Sequence, residues 1–178
     1  TVTDAAGATD VQTLTVNVTA ANDNPPDITS DGGGTTATLS IAENTTTVTN
    51  VESTDADGET ENGGGLTYSL TGGADQALFT LDPATGDLSF TAAPDFDTPG
   101  DADGNNAYEV QVTVTDAAGA TDVQTLTVNV TAANDNPPDI TSDGGGTTAT
   151  LSIAENTTTV TNVESTDADG ETENGGGL

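Results

Sequence analysis

The chain is 178 residues long and carries 30 Asp and Glu with no Lys, Arg or His, a formal net charge of -30. Without basic residues it cannot displace counterions from nucleic acid or anionic lipid, and without Cys, His or Lys it lacks thiolate sites, disulfides and most nucleophile–base arrangements. Aromatic residues make up only 3% of the chain, yet the period-two runs Tyr108 to Thr115 and Leu126 to Thr131, rich in β-branched residues, distinguish it from a disordered acidic polymer.

Thr1 to Leu66 returns without a mismatch as Thr113 to Leu178, an offset of 112 residues. That is one domain of β-sandwich size, too long for a solenoid unit. A boundary at the Pro-Pro after Asn-Asp-Asn divides the chain in three. Residues 1–25 are the C-terminal strands of a preceding repeat, 26–137 one complete repeat, and 138–178 the N-terminal strands of a following one. The chain starts abruptly inside a strand pattern and reads as an excerpt. All five aromatics (Tyr68, Phe79, Phe90, Phe96, Tyr108) lie in the part present once, so neither flank is expected to fold alone.

Within the complete unit, alternation predicts strands at Thr36–Ile41, Thr47–Ser53, Leu66–Leu70, Ala77–Leu81, Asp87–Thr91, Ala107–Thr115 and Val123–Thr131. Turns at Asp82-Pro83-Ala84-Thr85-Gly86 and Asp116-Ala117-Ala118-Gly119 separate them. No helical period and no apolar run long enough to span a membrane occurs. The fold class is therefore all-β, a seven-stranded Greek-key β-sandwich. Its expected core is Leu39, Ile41, Leu66, Tyr68, Leu70, Phe79, Leu81, Leu88, Phe90, Val110, Val112, Val114, Leu126, Val128 and Val130.

The acidic residues recur in short clusters: Asp55-Ala56-Asp57, Asp95-Phe96-Asp97, Asp101-Ala102-Asp103-Gly104-Asn105, and Asn22-Asp23-Asn24 with its copy Asn134-Asp135-Asn136. Asp-x-Asp in an extended segment presents two carboxylates on one side, which suits the six to eight oxygens that Ca2+ takes. A solvated acidic turn is the plainer reading of any one cluster, because Asp and Asn favour turns. A self-repelling chain with no internal cation favours the metal.

The order of these motifs resembles the cadherin repeat, and more closely the cadherin-like tandem repeats of large bacterial surface adhesins. Ala42-Glu43-Asn44 resembles the family's Pro-Glu-Asn, Asp55-Ala56-Asp57-Gly58 before Leu66-Thr67-Tyr68 its Asp-Ala-Asp loop and next strand, and Asp95-Phe96-Asp97 its Asp-Arg-Glu. Val114-Thr115-Asp116 is similar to its strand-end Asp, and Asn134-Asp135-Asn136-Pro137-Pro138 to its linker. The resemblance implies calcium at the junctions between domains. The second junction would use Glu43, Asp95, Asp97, Asn134, Asp135, Asn136, Asp167 and Asp169. The first would use Asn22, Asp23, Asn24, Asp55, Asp57 and Asp116, with its upstream Glu and Asp pair lying before Thr1, so fuller coordination is expected at the second. Asp101, Asp103 and Asn105 form an added loop like that of the bacterial repeats, a further candidate site. Ala20 and Ala21 depart from the family linker, where an acidic and a polar residue are usual. Asp4 and Glu155 match ligand positions whose junctions lie outside the chain, and Asp10, Asp75, Asp122, Glu59 and Glu61 are assigned to surface charge.

No Ser stands in a Gly-x-Ser-x-Gly elbow, and the carboxylate pairs belong to repeated units, so an enzyme is not expected. The resemblance implies an extracellular or cell-surface stalk, rigidified by calcium, that projects a distal binding domain. A mismatch-free duplication suits a spacer, which gains length from copying. The alternatives are a segment of a calcium-dependent fibre or biofilm filament, in which strings associate laterally, and a homophilic adhesion module. Expected partners are neighbouring repeats of the same chain.

Overall fold

A computed structural model describes residues 1–170. The segment 171–178, with which the predicted following repeat ends, lies outside the described residues. The strands in chain order begin with β1 (Val2–Thr3) and β2 (Thr9–Asp10), an isolated antiparallel pair. Then come β3 (Asp27–Ile28), β4 (Thr36–Ala42), β5 (Thr47–Asn50), β6 (Ser53–Thr54), β7 (Thr67–Gly72), β8 (Phe79–Leu81), β9 (Asp87–Phe90), β10 (Ala107–Thr115) and β11 (Thr121–Thr131). A last pair, β12 (Asp139–Ile140) and β13 (Ser165–Thr166), follows.

The longest predicted strands form the longest hairpin, in register from Ala107↔Asn129 to Thr115↔Thr121. Asp116 closes its turn: its Oδ1 accepts the Ala120 N–H at 2.7 Å, and Gly119 supplies a left-handed φ of 91°. The hairpin lies inside a four-stranded sheet ordered β4-β11-β10-β7, in which β4 runs parallel to β11 from Thr36↔Thr125 to Ala42↔Thr131. A second sheet, β5-β9-β8, and the short β3-β6 pair complete the sandwich. The chain switches sheet between β4 and β5, between β6 and β7, between β7 and β8, and between β9 and β10, as a Greek key requires.

One core joins the two layers: Ile28, Val51, Leu66, Tyr68, Phe79, Leu88, Phe90, Tyr108, Val110, Val112, Val114, Leu126, Val128 and Val130. Phe79 stacks on Phe90 with centroids 4.4 Å apart, and Phe90 meets Tyr108 edge-on at 5.0 Å. Ile41, Leu70 and Leu81 are only partly buried against this core, and Leu39, on the edge strand β4, is half-buried as well.

Three departures from the predicted elements have local causes. The expected strand Thr47–Ser53 breaks at Val51, whose N–H turns to the Gly86 carbonyl at 2.9 Å, so its two halves pair with different strands. The start of Ala77–Leu81 is a 3-10 turn, Gln76–Leu78. The strand Asp27–Ile28 is too short to show a period, yet it buries Ile28.

The flanks repeat strands of the central unit without its packing. Val16 and Val18 are the copies of Val128 and Val130, but they are 82% and 92% exposed against 0% and 3%. Leu151 and Ile153, copies of residues on β4, are also exposed. Among the described residues no helix is long and apolar enough to cross a membrane.

Candidate metal centres at the junctions

The end of β4 delivers Glu43, the turn after the buried Pro94 delivers Asp95 and Asp97, and the linker after β11 delivers Asn134, Asp135 and Asn136. Glu43, Asp97, Asp135 and Asp169 each present a carboxylate oxygen within 4.8 Å of the others. Calcium–oxygen distances of about 2.3–2.6 Å place ligands across one ion at about that separation.

Backbone N–H groups fix most of these side chains. Glu43, 4% exposed, accepts Ala133 N–H at 2.6 Å on Oε1 and Phe96 N–H at 2.8 Å on Oε2. Asp95 Oδ1 accepts the N–H groups of Asp97 (2.9 Å) and Thr98 (3.0 Å), so it shapes the turn that aims Asp97. Asp169 Oδ2 accepts Asp135 and Asn136 N–H at 3.1 and 2.9 Å, while Asn136 Nδ2 donates to Asp169 Oδ1 at 3.0 Å and to Asp97 Oδ2 at 2.7 Å. Asn44, at a left-handed φ of 63°, hydrogen-bonds Asp135 through its side-chain amide. Asp167 Oδ1 receives the Asp169 N–H at 2.9 Å, whereas its Oδ2 is buried without a hydrogen-bond partner.

The electrostatics differ within the cluster. Desolvation, followed by the charges of Asp169, Glu43 and Asp95, raises the Asp97 carboxyl above the ordinary carboxylate range. The side-chain and backbone N–H groups of Asn136 lower that of Asp169.

At the first junction Asp57 repeats the role of Asp169. Its Oδ2 accepts Asp23 and Asn24 N–H at 2.9 and 2.7 Å, its Oδ1 accepts Asn24 Nδ2 at 2.9 Å, and the contacts from Asn24 lower its pKa. The carboxylate group here is Asp55, Glu59 and Asp116, again with oxygens within 4.8 Å. Asp116 is 5% exposed, and its Oδ2, the Asp55 Oδ2 and the Asn22 Oδ1 are all buried without a hydrogen-bond partner. Buried oxygens left without donors, with no Lys, Arg or His in the sequence to approach them, fit a hard divalent cation.

The added loop is closed by its own hydrogen bonds. Asp101 accepts Asn105 N–H (2.8 Å) and Asn106 N–H (3.2 Å), Asn105 Nδ2 donates to Asp103 Oδ2 (2.8 Å), and Asn105 Oδ1 accepts Ala107 N–H (2.7 Å). Asp103 is raised by its hydrogen bond with Asp101, and by desolvation and the Asp101 charge. Burial pushes Asp101 up, but the N–H of Asn105, the interaction with the Asp103 side chain and the N–H of Asn106 outweigh it and leave Asp101 lowered.

Four residues assigned to surface charge hold the fold instead. Asp75, 4% exposed, accepts Ala102 N–H (2.7 Å) and Glu109 N–H (2.8 Å). Asp122 accepts Ile28 N–H at 2.9 Å. Glu61 accepts Ser53 N–H at 3.1 Å and the Tyr68 hydroxyl, which burial and this contact hold well above its usual pKa. Glu59 accepts Asn22 Nδ2 at 2.7 Å and stands in the first-junction group. The partners of Asp75, Asp122 and Glu59 are remote in sequence, and no local pattern signals them. Asp10, exposed beside its own Val11 N–H, fits its assignment.

A family model described as the cadherin domain matches residues 37–131, more than half of the chain. The chain belongs to the cadherin family. It is 34% identical over 134 residues to Protocadherin Fat 1 of Homo sapiens and 32% identical over 135 residues to Protocadherin Fat 2 of Mus musculus. Each match takes in 72% of this chain and 3% of the relative, so the chain spans a small part of their length. Among solved structures, the extracellular cadherin domains 1–4 of Protocadherin Gamma B7 share 27% identity at a TM-score of 0.55, covering 85% of this chain and 36% of that one. The human Desmocollin-1 ectodomain, at 22% identity, shows the fold alone, with a TM-score of 0.59 over 93% of this chain and 31% of that one. Cadherin domains are extracellular adhesion modules, not enzymes, and they bind calcium at the linkers between domains.

Proposed function

We propose that this cadherin chain is a calcium-rigidified stalk segment of a large bacterial surface adhesin, a spacer that holds a distal binding domain away from the cell. In this reading residues 1–25, 26–137 and 138–178 are the end of one repeat, one full repeat and the start of the next. The observation that carries it is the meeting of Glu43 and Asp97 with Asp135 of the linker and Asp169 beyond it, all within 4.8 Å.

Glu43, Asp95, Asp97, Asp135, Asn136, Asp167 and Asp169 would hold calcium at the second junction, with Asn134 in the same linker. Asn22, Asp23, Asn24, Asp55, Asp57 and Asp116 would do so at the first. The loop Asp101, Asp103 and Asn105 is a separate candidate, supported by the Asp101 charge that raises the Asp103 carboxyl and that a cation would offset. Bound calcium supplies the positive charge that this sequence lacks. The chain's own groups do the positioning: Glu43 is held by the N–H groups of Phe96 and of Ala133, just before the linker, and Asn136 bridges Asp97 and Asp169. With repulsion neutralised, carboxylates on either side of a linker become ties, and a flexible string becomes a rod.

Small-angle scattering and thermal melting of three tandem copies of the 112-residue repeat test the reading. Millimolar calcium is expected to give a stiff rod with a raised melting temperature, and excess chelator a bent, less stable chain. Shape and stability indifferent to calcium would sink the proposal.

A further inference from the structure

The loop after Asp57 is built to hold one more carboxylate than its Asp-x-Asp motif supplies. Gly58, at φ 89°, turns the chain, and Thr60 bridges Gly64 and Gly65, folding the loop back on itself. Gly65 has a φ of 118°, and a Cβ there would stand 2.9 Å from the Glu59 carboxyl carbon. The positive φ favours glycine at that position, and any side chain there would press on the Glu59 carboxylate. Glu59 Oε1 accepts Asn22 Nδ2 at 2.7 Å and its Oε2 accepts Ala117 N–H at 3.4 Å, so the carboxylate is aimed between the linker and the β10–β11 turn.

There it faces two carboxylates that each have one oxygen without a donor. Asp116 is 5% exposed, and the Oδ2 atoms of Asp116 and Asp55 are buried without a hydrogen-bond partner. Oxygens of all three residues lie within 4.8 Å of one another, with no basic side chain anywhere in the sequence. Three converging carboxylates in a partly desolvated site repel strongly unless a cation lies among them.

We propose that Glu59 is a direct ligand of a hard divalent cation, adding a third carboxylate to Asp55 and Asp116 at the first junction. This rests on the calcium reading of the junctions. All three carboxylates come from the β6–β7 loop and the β10–β11 turn, and the linker adds the Asn22 Oδ1, which is also buried without a hydrogen-bond partner. Through Asn22, Glu59 also passes the state of the ion to the linker.

The test is calcium titration of the full 178-residue chain by calorimetry, in wild type, Glu59→Gln, Glu59→Asp and Asp97→Asn. Glu59→Gln is expected to weaken one binding step at least about tenfold, since even outer-shell partners of metal ligands cost 10–100-fold. Glu59→Asp keeps the charge but withdraws its reach, and should weaken the same step. Asp97→Asn should remove a different one. In chelator, Glu59→Gln should melt no lower than wild type, because the amide oxygen still accepts from Asn22 and a repulsion is gone. If both Glu59 variants leave every step intact while Asp97→Asn removes one, Glu59 is no ligand and the junction reading survives. If wild type takes up no calcium, both fall together.

Discussion

Asp169 grips Asn136 with both carboxylate oxygens, accepting its backbone N–H at 2.9 Å and its side-chain amide at 3.0 Å. Asp57 grips Asn24 in the same way, at 2.7 and 2.9 Å, one repeat earlier. Each linker is therefore fastened to the loop that follows it by hydrogen bonds that need an ionised Asp. The folded pKa values of both are lowered, so this fastening is fully present above the ordinary carboxylate pKa of about 3.9 and is lost as pH falls through the lower folded value. In calcium-free NMR titrations, the amide signals of Asn24 and Asn136 should move with midpoints below about 3.9.

Asp97 behaves oppositely. Its folded pKa is raised, so its contribution to stability is greatest below the unfolded value and is lost as pH rises through the folded one. In chelator, the Asp97 carboxyl carbon should titrate above about 3.9, and Asp97→Asn should leave the protein as stable as wild type or more so at neutral pH. In calcium the same variant should lower the melting temperature, because the substitution then removes a ligand. A loss in both conditions would mean that Asp97 is a structural acceptor only.

The sheets and the junction clusters were legible because both follow short-range rules. Period two marks β10 and β11, and the spacing of Glu43, Asp95, Asp97 and Asp135 is a motif. What stayed hidden depends on partners distant in the chain. Asp122 meets Ile28 N–H across 94 residues, and Asp75 meets Glu109 across 34. Neither pairing leaves a trace in local composition, and each looks like one more acidic residue among 30. Val51 is similar, since the break it makes in its strand is set by the Gly86 carbonyl. Glu59 is equally illegible, because the groups that aim it, Asn22 and the Ala117 N–H, lie 37 and 58 residues away.

Asp75 supports the added loop by accepting one N–H from it and one from β10. Asp75→Ala would strand both donors in a buried site, at about 1–3 kcal/mol each. Urea unfolding in chelator should show a loss of about 3 kcal/mol, and Asp75→Asn, which keeps one acceptor oxygen, a smaller loss.

Asp103 lies beside the Asp101 carboxyl, and its raised folded pKa means that ionising it opposes folding as pH rises through that value. Asp103→Asn should therefore raise the melting temperature in chelator at neutral pH. If the loop holds calcium, the gain should vanish or reverse in calcium. An equal gain in both conditions would identify the loop as a self-bonded acidic turn.

Leu126 and Leu14 occupy the same position of the duplicated sequence, with identical neighbours along the chain, yet one is 0% and the other 77% exposed. The difference comes from the strands β7, β8 and β9, which the chain supplies once and which wall the core around Leu126. Leu126→Ala should cost about 2–5 kcal/mol, the transfer term plus the cavity left in a packed interior. Leu14→Ala should stay within about 0.5 kcal/mol. Urea unfolding of the two variants checks this directly. Equal costs would mean that the first copy packs in solution against something else, whereas unequal costs tie the fold of each repeat to its aromatic middle segment.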